Sequence, residues 1–295
     1  MRRIMPILAA LLLAGGALAQ CQTPRAVNLR PYLQGEVNEV AVLTAQADRL
    51  QTRGDATGAA LLQSYIPDHQ QQAARLREAI RNEGGNPDTV QPTGTPYFGS
   101  RLAMVRYDER AHARVMAQYQ TLLNRATTPS VRTLAMLGLN GASRHHNSLV
   151  VVRASSMTTR SDHRTALVAA LALERGAVAD LQTQSDRLTV LGDTNAAGTL
   201  QALVPPHQQQ IARLERLLTE AGGHPAQVTA PVSAALPSRD LILANAHTEN
   251  LQLASTYTLA ISYLPAGPMA NTFAQGRTVA SQAMASLENR TTPPV

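Results

Sequence analysis

Glu36 precedes His69 by the same interval that separates His112 from His145. If each pair sits on an antiparallel helical hairpin, the two members return to about the same level. A carboxylate and three imidazoles would then meet in one layer of a helical core. That donor set suits a transition metal such as iron, copper or zinc. Glu36, His69, His112 and His145 are therefore the candidate ligands. Glu39 lies one turn from Glu36, Glu109 one turn before His112, and Tyr65 and Gln72 share the His69 face, so each could add a ligand or a hydrogen bond. His146 follows His145 directly and points about 100° away on a helix, so only one of the two faces inward. His163, near a helix start, and His224, in a loop, are not expected to bind metal. A competing reading makes the same residues a metal-free polar core.

The chain writes one sentence twice. Residues 66–87, "IPDHQQQAARLREAIRNEGGNP", and 204–225, "VPPHQQQIARLERLLTEAGGHP", are identical at half of their positions. The shift that lays His69 on His207 also carries Glu36 to Glu174 and Tyr119 to Tyr257. The same shift carries His112 to Asn250 and His145 to Ala283, so the second copy keeps only Glu174 and His207 of the candidate set. His247, falling where Glu109 stood, and the neighbouring Glu249 could form a rearranged site; a degenerate copy is the other reading.

Helical signals must position these residues. Val37, Val40, Leu43, Ala47 and Leu50 recur at helical spacing over 35–53. "GDATG" breaks that run, and a second helix is predicted over 59–83, stopped by Gly84-Gly85. A Pro-, Gly- and Thr-rich stretch (86–100) leads to a third helix over 101–125. "TTPS" (127–130) supplies a turn and a hydroxyl cap, and a fourth helix runs to about Ser155. The second copy repeats the plan. The fold class is therefore all-α: two tandem four-helix bundles, at 30–157 and 160–290. Short first and third connections imply hairpins. The middle connection, at roughly 3.3 Å per residue, could reach about 50 Å and run the length of its bundle.

Composition supports helices over sheets: aromatics are 3% of the chain, with no Trp, while Ala, Leu, Gln and Arg are abundant. All 26 basic residues are Arg, scattered among acids without a dense run, which argues against a nucleic-acid surface despite the net charge of +6. Residues 1–20 read as a secretory signal peptide, which directs the chain to the periplasm or outer envelope. "LAQC" resembles a lipobox, so Cys21, the single cysteine, is a candidate lipid anchor and the one route to a membrane; cleavage after Ala19 is the alternative. An unidentified protein partner is the expected target of a metal-free helical module. No nucleophile elbow or phosphate loop is present, and no enzyme activity is assigned.

The Glu on the first helix, "DHQQQ" on the second, "YDERAH" on the third and "SVRTLAMLGLNGASRHHNSL" on the fourth resemble a secreted bacterial ferritin-like family. It is a domain of unknown function often labelled "predicted outer membrane protein". In that family the second helix carries an Asp-His pair (here Asp68-His69), the third a His (here His112), and the fourth a Leu-rich run ending in His (here His145 or His146). The resemblance implies a ferritin-like fold and an envelope location, with no established activity. Di-iron proteins have Glu-x-x-His where this chain has His69-x-x-Gln72 and His207-x-x-Gln210, so ordinary di-iron chemistry is not implied.

Overall fold

Side-chain caps set most of the helix starts. Asp55, Ser100, Thr128, Thr159, Asp193 and Ser238 each accept a hydrogen bond from a backbone N–H three residues on, at 2.9–3.5 Å. The computed structural model describes residues 27–291 apart from positions 97 and 232. The predicted signal peptide (1–20) and Cys21 lie outside the described residues. Those described are all-helical: α1 (Arg30–Thr52), α2 (Ala56–Asn82), α3 (Arg101–Arg125), α4 (Pro129–Ser155), α5 (Arg160–Val190), α6 (Thr194–Glu220), α7 (Arg239–Ile261) and α8 (Pro268–Thr291). None is long and apolar enough to cross a membrane.

Two starts differ from the sequence expectation. α1 opens at Arg30 rather than near Gly35, because Pro31 in the first turn has the backbone angle a helix start needs. α2 opens at Ala56 rather than Ala59, because Asp55, inside the stretch read as a breaker, caps it. The stops fall as expected: Gly84 and its counterpart Gly222 hold φ of 77° and 76°, a left-handed conformation that side-chain-bearing residues avoid.

α1 and α2, α3 and α4, α5 and α6, and α7 and α8 form packed hairpins. Within the first four, α1 also meets α3, and α2 meets α4; the second four repeat this with α5 on α7 and α6 on α8. Hydrogen bonds fix the directions. Glu36 meets both His69 and Tyr119, while Gln46 meets Asp108, so α1 runs antiparallel to α2 and α3. Parallel α2 and α3 require a connection that returns along the bundle, and residues 83–100 do so beside α1. Gln34 donates to the Gln91 carbonyl, Arg49 to Pro96 and Arg53 to Gly99. The α6–α7 connection tracks α5 in the same way, through Arg175 to Pro225, Gln184 to Ala234 and Arg187 to Leu236.

The two sets of four share a core. α4 packs on α5 and α7, and α2 packs on α7. Leu259 of α7 joins the cluster built on Leu43, Leu61, Leu62 and Tyr65, while Val150, Val151 and Ala154 of α4 join the apolar cluster of α5–α8. The buried charged residues of the first set therefore have neighbours from the second.

Candidate metal centre

α2, α3 and α4 bring three imidazoles to one point. His69 Nε2 lies 3.1 Å from His112 Nε2, and His145 Nδ1 lies 3.2 Å from each. All three rings are buried. His69 Nε2, His112 Nε2 and His145 Nδ1 would hold an ion there, and three imidazole nitrogens suit iron, copper or zinc. Among the described residues this is the group of His and carboxylate side chains whose atoms converge closely enough to hold a metal ion.

The outward nitrogens are all engaged. His69 Nδ1 donates to Glu36 Oε2 at 2.6 Å, His112 Nδ1 to the Asp108 carbonyl at 2.8 Å, and His145 Nε2 to Asp68 Oδ2 at 3.0 Å. Carboxylate and carbonyl oxygens only accept, so these bonds assign the outer hydrogens and leave the three inner nitrogens as lone pairs. Three lone pairs facing one another at 3.1–3.2 Å repel unless a cation or a proton lies among them. Outer carboxylates that orient metal-binding imidazoles and raise their basicity are the usual support of such a centre.

Electrostatics decide where a proton would go. Burial disfavours a charged His69, but Glu36, with Glu39 and Asp68 nearby, outweighs that cost and raises its pKa above the ordinary 6.5. Burial, with the His145 and His69 charges beside it, holds His112 well below 6.5. Burial pulls His145 down to about 4 despite its bond to Asp68. Of the three rings His69 is therefore the one that most favours an added proton, and an Nε2–H there would face the lone pairs of the other two.

The structure sorts the expected residues. His69, His112 and His145 meet. Glu36 reaches the same layer, but its Oε2 backs His69 and its Oε1 accepts from the Tyr119 hydroxyl, on the far side from the triangle. Tyr65 stacks on His145 with ring centroids 4.4 Å apart and bonds Ser148, while Gln72 donates to the Leu134 carbonyl. Glu39 is buried beside His69's charge, with one oxygen unpartnered. Glu109 pairs with Arg153 at 2.6 Å, and His146 bonds the Glu109 carbonyl at 3.1 Å, so both lie outside the centre. His163 is half-buried and His224 exposed, and neither belongs to the converging group.

The second set repeats the frame without the triangle. His207 bonds Glu174 at 2.7 Å, Tyr257 bonds Glu174 at 2.7 Å, and Gln210 bonds the Thr272 carbonyl at 2.9 Å, each residue the repeat counterpart of one in the first set. Ala283 offers no ligand, and His207 Nε2 and Asn250 Oδ1 are buried without partners. The rearranged site does not form: His247 lies 3.5 Å from Glu288, and Glu249 lies 3.5 Å from Arg144.

Asp68, Arg144 and Gln252 complete the surroundings. Asp68 Oδ2 accepts from His145, from Arg144 Nη2 at 3.0 Å and from Gln252 Nε2 at 2.9 Å. Burial alone would raise its pKa, but Arg144, His145 and Gln252 together hold it far below the usual carboxylate range. Asp68 is adjacent to His69 in sequence and belongs to the resemblance's Asp-His pair; Gln252 carries no sequence signal. A cleft lined by Gln72, Arg75, Asn140 and Asp180 reaches His69 and His145, with a volume of about 30 Å³. That is room for a water or an ion.

Comparison with protein-family models, with curated proteins and with solved structures yields no match to this chain. The residues and their geometry therefore carry the functional argument.

Proposed function

We propose that this chain is a secreted or envelope-resident helical protein that holds one transition-metal ion at His69, His112 and His145, in storage, sensing or stress defence. The observation that carries the proposal is the triangle of buried imidazole nitrogens, each ring tied on its outer side to an acceptor. Iron, copper and zinc all accept imidazole nitrogen. A ferritin-like tandem of four-helix bundles, at 30–157 and 160–290, is part of the same proposal. The hydrogen bonds repeated between the two copies and the lengthwise connections support it. Export rests on the sequence of residues 1–20, and an anchor on Cys21.

A metal-free module for envelope maintenance or partner binding is the competing reading. One observation favours it: Glu36 bonds His69 at 2.6 Å and raises its pKa, and a proton on that ring would satisfy the same lone pairs. Metal analysis separates the two. Residues 22–295, made without a tag and dialysed against mixed divalent metals, should retain about one equivalent of one metal, lost in His112→Ala, because the ligands exist as a set only in the folded chain. Retention below about 0.2 equivalents, unchanged in His69→Ala, overturns the metal reading. A bound metal should also raise the melting temperature, since it favours the folded state alone.

A further inference from the structure

We infer that the second set of helices is a working part of the first set's metal centre: Gln252 of α7 and Asp180 of α5 are positioning residues for the ligand His145. The chain of contacts is short and buried. Gln252 Nε2 donates to Asp68 Oδ2 at 2.9 Å and to the Ser64 carbonyl at 3.1 Å, and lies 3.2 Å from His145 Nε2. Asp68 Oδ2 is the oxygen that accepts the His145 Nε2 hydrogen. Arg144, the residue before His145, links Asp68 to Asp180 through Nη2 at 3.0 Å and Nη1 at 3.1 Å; Asn140 Nδ2 adds a bond to Asp180 at 3.0 Å.

The consequence follows from what an outer carboxylate does. Asp68 fixes which His145 nitrogen is bare and where the ring points, and a ligand mispointed by a fraction of an ångström binds less well. Asp68 is itself held by three donors on one oxygen, and one of them comes from α7. A second, Arg144, is held from its far side by α5. The second copy can lose its own ligands at Asn250 and Ala283, yet its α5 and α7 remain tied to the surviving centre. Pro206 stands where a counterpart of Asp68 would be, so the arrangement is not reproduced in the second set.

The inference rests on the metal-binding reading for its affinity arm and not for its resonance arm. Cobalt(II) is the probe, because its visible bands report ligand geometry. The chain carrying Gln252→Met should bind cobalt at least about 10-fold more weakly than wild type, with shifted bands, and Asp180→Asn should act in the same direction. Tyr263→Phe is the control. It removes the Arg101–Tyr263 bond, 3.2 Å, which also joins the two sets of helices but does not touch Asp68. It should leave affinity and bands unchanged. Gln252→Met within about twofold of wild type with unmoved bands overturns the inference, and so does an equal loss in Tyr263→Phe. If wild type takes neither cobalt nor any of the dialysed divalent metals, the metal reading falls by itself. The His145 Nε2–H resonance of the metal-free protein then decides: it should move in Gln252→Met, and an unmoved resonance overturns the inference.

Discussion

His112 and Asn250 do the same work in two copies of one frame. His112 Nδ1 donates to the Asp108 carbonyl at 2.8 Å, and Asn250 Nδ2 donates to the Ala246 carbonyl at 2.9 Å. The Asn keeps the bond and loses the ligand, which leaves its Oδ1 buried and unpartnered beside a frame still holding Glu174, His207 and Tyr257. Asn250→His with Ala283→His should therefore create a second metal centre. Titration should reach two equivalents in place of one, the second binding about 10- to 100-fold more weakly because Pro206 offers an imidazole at position 283 no carboxylate. A stoichiometry that stays at one would show that the second frame is too altered to hold an ion.

Acidification should weaken the metal-free protein in a defined window. A His with a depressed folded pKa takes up more protons unfolded than folded, so its contribution is fully present above about pH 6.5 and is lost as pH falls through its folded value. His145, lowered from 6.5 to about 4, contributes about 3 kcal/mol on this basis, and His112 acts in the same direction. His69, raised above 6.5, has the opposite sign: its contribution is present below the unfolded value and fades as pH rises through the folded one. Urea midpoints should thus fall between pH 6.5 and 4, with a shallower fall in His145→Gln. Metal competes with protons for the His69 nitrogen, so metal affinity should rise with pH and binding should release protons, measured calorimetrically in buffers of different ionisation enthalpy.

The helices and the meeting of His69, His112 and His145 are legible in the sequence, because equal spacings on antiparallel hairpins fix a common level. Glu36 shows the limit of that reasoning. Spacing places it in the layer but not on a side, and it lies behind His69, where Nδ1 needs an acceptor. The α1 and α2 starts were hidden by Pro31 and Asp55, residues that read equally as breakers and as openers. Gln252 and Asp180 reach Asp68 and Arg144 across the packing of α2 and α4 on α5 and α7, and no spacing within one copy encodes that approach.

Tyr119→Phe and Tyr257→Phe form a matched pair. Each removes a buried hydroxyl that donates to a carboxylate, Glu36 or Glu174. Each should lower stability by about 1–3 kcal/mol by leaving that oxygen unsatisfied. Tyr119→Phe should also weaken metal binding, since Glu36 orients His69, while Tyr257→Phe should not. Denaturant melts and metal titrations on both variants check this. Equal metal affinity in the two would detach Glu36 from the centre.

Two glycines of α4 should respond in opposite ways to the same substitution. A Cβ on Gly138 would stand 2.3 Å from Tyr119 Cζ, a contact that neither the helix backbone nor a buried ring can relieve cheaply. Gly138→Ala should cost about 1–3 kcal/mol and loosen metal binding by displacing the ring that holds Glu36. A Cβ on Gly141 meets nothing within 4 Å, one turn on. Gly141→Ala should therefore be stabilising by about 0.5–1 kcal/mol, the ordinary helix preference for Ala over Gly. Gly276, the counterpart of Gly138, meets Tyr257 Cε2 at 2.6 Å, so Gly276→Ala should lower stability without changing metal affinity. Thermal melts with and without metal separate the three. A Gly138→Ala protein that melts and binds like wild type would mean that Tyr119 can move without disturbing Glu36 and His69.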